Sequence, residues 1–216
     1  MGYFIGINDR ISGTMKLIFS RNVTALEFFL GKMLAITKVL LMILAAAVFI
    51  SLISAEIFHV LTFANMLHIL GFYGISFLYM FGFAIFSLAI TIRVDSAVKS
   101  MLYALFVWIV ITFALPELVS ALHPTASLNP VLPPTNILQS PILSVIHQFF
   151  YPISISEHFK EMGSFLLGVL PAPTEGQVSY PQSLHFFILI LWEFLIIGFA
   201  FLFFQKIRPA ENALSE

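Results

Sequence analysis

Four long apolar runs dominate the chain, at residues 33–57, 67–92, 100–122 and 184–205. Each run reaches the length of about 20 residues that an α-helix needs to cross the hydrocarbon core of a bilayer. Polar or proline-rich stretches separate the runs, and the connection between the second and third is short. The pattern predicts an all-α membrane protein with about four transmembrane helices, three of them within residues 33–122.

The stretch before the first run, residues 9–33, has a different pattern. At helical spacing its apolar residues fall on one side and its polar residues on another. The apolar side comprises Ile11, Met15, Ile18, Phe19, Leu26, Phe29 and Leu30. Side chains in the middle, at residues 20–22 (SRN), compete for helix hydrogen bonds. We therefore expect two short amphipathic helices along the membrane surface, within a segment formed by residues 1–32. The pattern alone fits a simple interfacial elbow equally well.

A proline-rich region, residues 123–183, separates the third and fourth runs. Its apolar pieces, residues 142–151 and 159–170, are too short to span a bilayer. Ser156 is placed to cap the second piece, with Glu157 and Glu161 in the first turns, where acidic side chains favour a helix N-terminus. We expect a re-entrant or interfacial layer with short helices, followed by the last span and a polar tail within residues 184–216.

The charges are distributed unevenly about these runs. Of the ten Lys and Arg residues, only Lys160 falls on one side of the predicted membrane. The other nine are Arg10, Lys16, Arg21, Lys32, Lys38, Arg93, Lys99, Lys206 and Arg208. Because basic residues are enriched in cytoplasmic segments, residues 1–32, the 93–99 connection and the C-terminus should be cytoplasmic. The sequence thus predicts a multi-pass protein of the cell membrane.

Cysteine labelling tests this topology without background, because the chain contains no cysteine. A single cysteine at Ser127 or Thr174 should react with an impermeant thiol reagent added outside intact cells. A cysteine at Ser96 should react only after the cells are opened. The opposite labelling pattern would reverse the orientation.

Composition excludes several classes of function. Hydrophobic residues make up 60% of the chain and charged residues 10%, with a mean hydropathy of +1.01, far from values typical of soluble domains. A basic face for nucleic acid is lacking, and without cysteine there is no thiolate metal site. Gly31-Lys32 lacks the earlier glycine and the following hydroxyl residue of a phosphate-binding loop. No cofactor is predicted.

Three short motifs resemble one family. Residues 9–14 (DRISGT), 17–21 (LIFSR) and 30–32 (LGK) resemble the segment before a membrane span in permease subunits of type-2 ABC transporters. The similarity is greatest to the branch that includes the permease of the nitrous-oxide-reductase maturation system. Asn22 stands where the family commonly has proline, and Leu26 where it commonly has arginine. Residues 89–99 and 128–130 (LNP) extend the resemblance across nearly the whole chain.

The resemblance implies a function for the amphipathic segment, which in this family is cytoplasmic and docks on a separate ATP-hydrolysing subunit. Carried over by motif, the partner-coupling residues are Asp9, Arg10, Gly13, Thr14, Lys16, Arg21 and Lys32. A second permease copy, in a homodimer or with another permease chain, is also implied. Members of this branch usually have six spans. Residues 1–7 (MGYFIGI) resemble the end of a span. We therefore expect that two spans are missing or are supplied by another chain.

Two carboxylates are candidates for a translocation path. Glu193 lies deep in the last run, where a charge costs about 2.5–3.5 kcal/mol, so its side chain should face the helix bundle, a partner or water. Two roles for Glu193 are equally consistent with the sequence: it lines a path, or it hydrogen-bonds to a neighbouring helix. Glu117 follows Pro116 near the end of the third run, where proline favours a kink or helix end.

All six histidines fall on the predicted outer side or at the outer ends of spans: His59, His68, His123, His147, His158 and His185. None has the spacing of a metal-ligand motif, so interfacial and loop histidines are favoured over a metal or proton site. An alternative function is a membrane-embedded enzyme that uses Glu193, Glu117 and these histidines as acid–base groups. No motif places those groups at fixed spacing, and a transporter subunit is therefore preferred.

Overall fold

The computed structural model of the chain describes residues 18, 23–94, 96–122, 141–168 and 180–205. In order, its helices are α1 (Ala25–Ile57), α2 (Phe63–Arg93), α3 (Ala97–Ile109), α4 (Leu115–Leu122), α5 (Pro141–Phe150), α6 (Ile155–Leu166) and α7 (Gln182–Gln205). A π-helical turn, Val110–Ala114, joins α3 to α4, and a 3₁₀ turn, Tyr151–Ile153, follows α5. No strand occurs among these residues.

Four helical stretches are long and apolar enough to cross a membrane: Ala25–Ile57, Phe63–Thr91, Val98–Val119 and Gln182–Gln205. The third combines α3, the π-helical turn and most of α4. The prediction of an all-α membrane protein with about four spans is therefore confirmed. The multi-pass membrane location is confirmed on the same ground.

Helix α1 begins at Ala25, well before the predicted start at residue 33. Thr24 caps it: the Thr24 hydroxyl accepts a hydrogen bond from the Glu27 amide at 3.2 Å, and the Thr24 amide donates to the Glu27 carboxylate at 2.8 Å. Gly31 does not break the helix. Residues 25–32 thus belong to the first span's helix and form no separate short helix, while the predicted junction at residues 20–22 lies outside the described residues.

The inward side of the start of α1 also differs from the prediction. Phe28 and Phe29 are buried, whereas Leu26 and Leu30, predicted on the same apolar side as Phe29, are about half exposed. A helix that continues into a span can be apolar all round, because its outer side contacts lipid. The amphipathic pattern is therefore a poor guide to packing once the segment has entered the span.

A core of apolar side chains joins α1, α2 and α7. Its buried members are Phe28, Phe29, Ile36, Leu40, Phe81, Ala84, Ile85, Leu88, Ala89, Ile196, Ala200 and Phe204. The rings of Phe29 and Phe204 lie 4.8 Å apart, which brings the start of α1 beside the end of α7. Ser100 donates a hydrogen bond to Thr91 at 3.1 Å, which ties the start of α3 to the end of α2. One end of the bundle thus gathers these four helix termini, which are the ones predicted to be cytoplasmic.

The π-helical turn arises where Pro116 leaves a carbonyl without a partner. The Leu115 amide bonds to the Val110 carbonyl, five residues back. In that register the Ile111 carbonyl would need the amide of Pro116, and proline has no N–H. Ser156 of α6 donates to the Ile111 carbonyl at 3.0 Å instead. The third span therefore continues through Pro116 to Val119, and α4 itself ends at Leu122.

The predicted cap at Ser156 is wrong. Helix α6 begins at Ile155, so Ser154 occupies the capping position, and its side chain makes no capping hydrogen bond. The Ser156 hydroxyl is used between helices: besides Ile111, it bonds to the Tyr79 hydroxyl at 2.9 Å. Phe159 stacks on Tyr79 with centroids 4.6 Å apart. Helix α6, which lies between the third and fourth spans in the sequence, is thus docked in space against α2 and the π-helical turn.

Candidate translocation site

The inward side of α7 is a single stripe at helical spacing: His185, Leu189, Glu193, Ile196, Ala200 and Phe204 are all buried. Residues four or three apart share one side of a helix, and here that side faces the bundle. Only His185 and Glu193 among them are ionisable. They lie about 12 Å apart along the axis, at a rise of about 1.5 Å per residue. The stripe therefore presents two separate polar positions, one near the start of α7 and one in the middle.

Glu193 faces Gly82 of α2 in a close contact. A Cβ atom added to Gly82 would lie 2.5 Å from the Glu193 Oε1 atom and 3.2 Å from the Trp192 Nε1 atom. Only a glycine leaves room for both side chains at this distance. The contact lies within the packing of α2 on α7, the most extensive helix pair in the described structure.

The polar atoms at this contact are buried. Glu193 is 6% exposed. Neither of its carboxylate oxygens, nor the Trp192 indole nitrogen, has a hydrogen-bond partner among the described residues. A buried acceptor and donor without partners are costly, at about 1–3 kcal/mol for an uncharged group and more for a charged one. Such groups are kept where something else, such as a proton, a ligand or another chain, satisfies them.

Glu117 is in a different setting. Its side chain is exposed on α4, whereas the preceding Pro116 is buried. No hydrogen bond or ion pair in the described structure joins Glu117 to Glu193. The two predicted path residues are therefore not brought together within this chain.

Most of the predicted coupling residues cannot be placed. Asp9, Arg10, Gly13, Thr14, Lys16 and Arg21 lie outside the described residues. Lys32 lies on α1, with its ammonium group 5.5 Å from the centroid of the Phe28 ring, within the range of a cation–π contact. Ile18, the described residue of the LIFSR motif, packs against the core of α1, α2 and α7.

Two of the six histidines form a pair that sequence spacing did not reveal. The Nδ1 atoms of His158 on α6 and His185 on α7 lie 2.8 Å apart. The rings are buried, with exposures of 0% and 4%. Burial, followed by the neighbouring His185, lowers the pKa of His158 from 6.5 to about 4. The sequence held no signal for this pair, because the buried stripe of α7 that includes His185 is a property of the fold.

Tyrosines cover the histidine pair. The ring of Tyr151 stands edge-on to His158 with centroids 5.0 Å apart, and Tyr180 stacks on Tyr151 at 5.3 Å. Burial raises the pKa of the Tyr151 hydroxyl, and the carboxylates of Glu161 and Glu157 add to the shift. Among the described residues, no group of three or more His, Cys, Asp or Glu side chains is placed to hold a metal ion.

Three further histidines lie within the described residues. His59 and His68 are exposed near the α1–α2 connection, and His147 on α5 contacts the Tyr151 ring at 5.5 Å. His123 lies outside the described residues. An acid–base centre would require Glu193 to meet Glu117 or a histidine, and the described structure shows no such meeting.

Comparison with known proteins gives one family. Residues 1–207 match the model of a family described as ABC-2 family transporter protein. No curated protein and no solved structure shows significant similarity to the chain.

Proposed function

Because the chain belongs to the ABC-2 family of transporters, we propose that it is the transmembrane permease subunit of an ATP-driven exporter. The match over residues 1–207 is the observation that supports this proposal most strongly. We further propose that the chain catalyses no reaction and that a separate subunit hydrolyses ATP. Its own sequence lacks a phosphate-binding loop, which supports this division.

Coupling to that subunit is assigned to residues 9–32, with Asp9, Arg10, Gly13, Thr14, Lys16, Arg21 and Lys32 as the contacting positions. The geometry of α1 supports this role. Its 33 residues extend about 50 Å, whereas the hydrocarbon core is about 30 Å thick. The helix therefore projects beyond the membrane core as one rigid element, and a movement at its capped start would be transmitted into the span.

Packing at the start of α1 also supports the coupling role. Phe28 and Phe29 contact Phe204 at the end of α7, and Ile18 packs on the same core. A displacement of the segment before α1 would therefore reach the first and last spans together. The resemblance to the nitrous-oxide-reductase maturation branch and the presence of a second permease copy remain part of the proposal.

We assign Glu193 and Glu117 to the translocation path. The unpartnered carboxylate of Glu193 supports its assignment, because a polar group buried at this depth in a span is a functional candidate. The exposed carboxylate of Glu117 would meet the path at the surface of the third span. The alternative of a membrane-embedded enzyme is not favoured, since neither Glu193 nor Glu117 meets the other or a histidine in the described structure.

Glu193→Gln tests the path assignment. The amide keeps the size of the side chain but removes its charge and its ability to exchange a proton. We expect export to fall by at least about tenfold, equivalent to ~1.4 kcal/mol in the barrier, with normal protein abundance. The measurement is an export-dependent growth phenotype of the host together with an immunoblot. Glu56→Gln, at an exposed carboxylate near the end of α1, is the matched control. Unchanged export in E193Q would make Glu193 a packing residue only.

Site-directed photo-cross-linking tests the coupling proposal. A benzophenone amino acid at Lys16 should cross-link to a soluble ATPase in intact cells. The same amino acid at Phe58, which is 76% exposed beyond the opposite end of α1, should not. Equal cross-linking at both positions, or none at Lys16, would contradict the assignment of residues 9–32 to the partner.

A further inference from the structure

The histidine pair joins the layer between the third and fourth spans to the last span. The two Nδ1 atoms face one another at 2.8 Å, so one of them must donate a proton and the other must accept it. A neutral histidine has one donor and one acceptor nitrogen, and two neutral rings can therefore make this bond. A singly protonated pair can keep this bond only with a charge on a buried ring, which is unfavourable, and a doubly protonated pair cannot make it, because an N–H would then point from each ring at the other.

The charged and titratable groups around the pair come from every neighbouring element. They are Tyr151 in the 3₁₀ turn, Glu157, Lys160 and Glu161 on α6, Tyr180 before α7, His147 on α5, and Tyr79 on α2, which bonds to Ser156. The ammonium group of Lys160 bonds to the Glu157 carboxylate at 2.9 Å. The backbones of Pro152 and Tyr151 hydrogen-bond to His158, the backbone of Tyr180 hydrogen-bonds to His185, and the Glu161 carboxylate acts on His185 through its charge.

We propose that the His158–His185 pair is a proton-sensitive latch, which holds α6 against α7 at neutral pH and releases it when the surrounding solution is acidified. The proposal goes beyond transport, since it concerns only the docking of α6 and does not require a partner subunit.

The direction of the pH effect follows from the state of His158. The pKa of this buried side chain is lowered from 6.5 to about 4, mainly by burial and then by His185. In the docked state it is therefore neutral between these values, whereas a released, solvated histidine would bind a proton. Stability of the docked state is complete above pH 6.5 and is lost as the pH falls from 6.5 toward 4. One proton changes the released fraction by up to about tenfold per pH unit in this range.

Release would be local, because α6 has a second attachment. Ser156 bonds to Tyr79 and to the Ile111 carbonyl at the π-helical turn, and neither serine nor a carbonyl gains a proton in this range. Acid therefore removes the contact to α7 while leaving the contact to the third span. The expected movement pivots α6 about the retained Ser156 attachment and exposes the adjoining turn, where Ser154 is fully buried one turn before His158.

Thiol labelling of Ser154→Cys measures this opening in purified protein. Serine and cysteine are nearly the same size, and the chain has no other cysteine. A cysteine at exposed Ser183, in the first turn of α7, corrects for the effect of pH on thiol reactivity. We expect the ratio of the two labelling rates, S154C over S183C, to rise by up to roughly 30-fold between pH 7.5 and 5.

Histidine variants identify the groups responsible. In the S154C background, H158Q should make the ratio nearly independent of pH, at either a low or a high level, whereas H185Q should leave a weaker slope because His158 stays buried. H68Q, at an exposed histidine of α2, should keep the wild-type slope. A ratio that stays constant in the wild type, or a full wild-type slope in either H158Q or H185Q, would overturn the latch. Neither labelling rate involves ATP or transport, so failure here leaves the exporter proposal intact.

Discussion

Reversal of charge at Asp9 or Arg10 should uncouple ATP hydrolysis from export while leaving the permease in the membrane. Charged side chains at an interface fix how the two partners align and how fast they associate. Losing a buried, hydrogen-bonded charge costs about 2–5 kcal/mol of binding free energy. D9R or R10E should therefore weaken association with the ATPase by at least roughly 30-fold. Export in cells and ATPase activity of the purified complex would be measured in parallel.

The control for this prediction is a charge reversal elsewhere in the chain. Lys160 is exposed on α6, and its ammonium group bonds to Glu157 at 2.9 Å, an ion pair of the exposed type that contributes little. K160E should leave export and ATPase association unchanged. If D9R and R10E behave like K160E, the segment before α1 is an interfacial elbow.

Gly82→Val should reduce the amount of folded protein more than any other single apolar substitution that we propose. The added Cβ would meet the carboxylate of Glu193 at 2.5 Å and the Trp192 indole at 3.2 Å, and the two methyl groups of valine extend the clash. Overpacking of this kind typically costs about 1–3 kcal/mol. The measurement is thermal stability in detergent by size-exclusion chromatography after heating, with G82A expected to have a smaller effect in the same direction.

Gly74 provides a matched control on the same helix. A Cβ added there meets nothing within 4 Å, so G74A should be neutral or slightly stabilising, since alanine favours a helix over glycine. The clash at Gly82 should also depend on its partner. In an E193A background G82A should lose most of its effect, because the carboxylate is absent. An additive double variant would show that the cost of a side chain at position 82 arises from something other than the Glu193 carboxylate.

The spans were predictable from the sequence because the bilayer requires long apolar helices, and hydropathy reports that requirement directly. The start of α1 was not. The polar positions of residues 25–32 suggested a separate surface helix, but a capping box at Thr24 and Glu27 begins the helix there. Length and polarity identify where a helix enters lipid, whereas its capping residues identify where the helix itself begins.

Ser156 shows why contacts between elements escape a reading of local sequence. A serine just before acidic residues favours a helix cap, and the predicted role of Ser156 rests on this local pattern alone. In the structure the Ser156 hydroxyl donates a hydrogen bond to the Ile111 carbonyl. That carbonyl lacks a backbone donor because Pro116, in another helix, has no N–H. The need for this bond arises in the third span. Its only sign in the sequence is Pro116, which is far from Ser156 along the chain.

The histidine pair has the same explanation. His158 and His185 are separated by a stretch of irregular sequence, so no fixed spacing brings them together. The structure places His185 and Glu193 on the buried stripe of α7, and the docking of α6 supplies the partner of His185. The cost of a buried charge predicted only that Glu193 would face the bundle, a partner or water, while the buried stripe and the partner of His185 are set by tertiary packing.

Co-purification in mild detergent is the most direct test of the claim that this chain is the membrane subunit of an ATP-driven exporter. Wild-type protein and K160E should bring down one ATPase with a Gly-x-x-x-x-Gly-Lys-Ser/Thr loop, identified by mass spectrometry, and D9R should lose it. If wild-type protein purified from its own membrane carries no such ATPase, the chain is not the membrane subunit of an ATP-driven exporter.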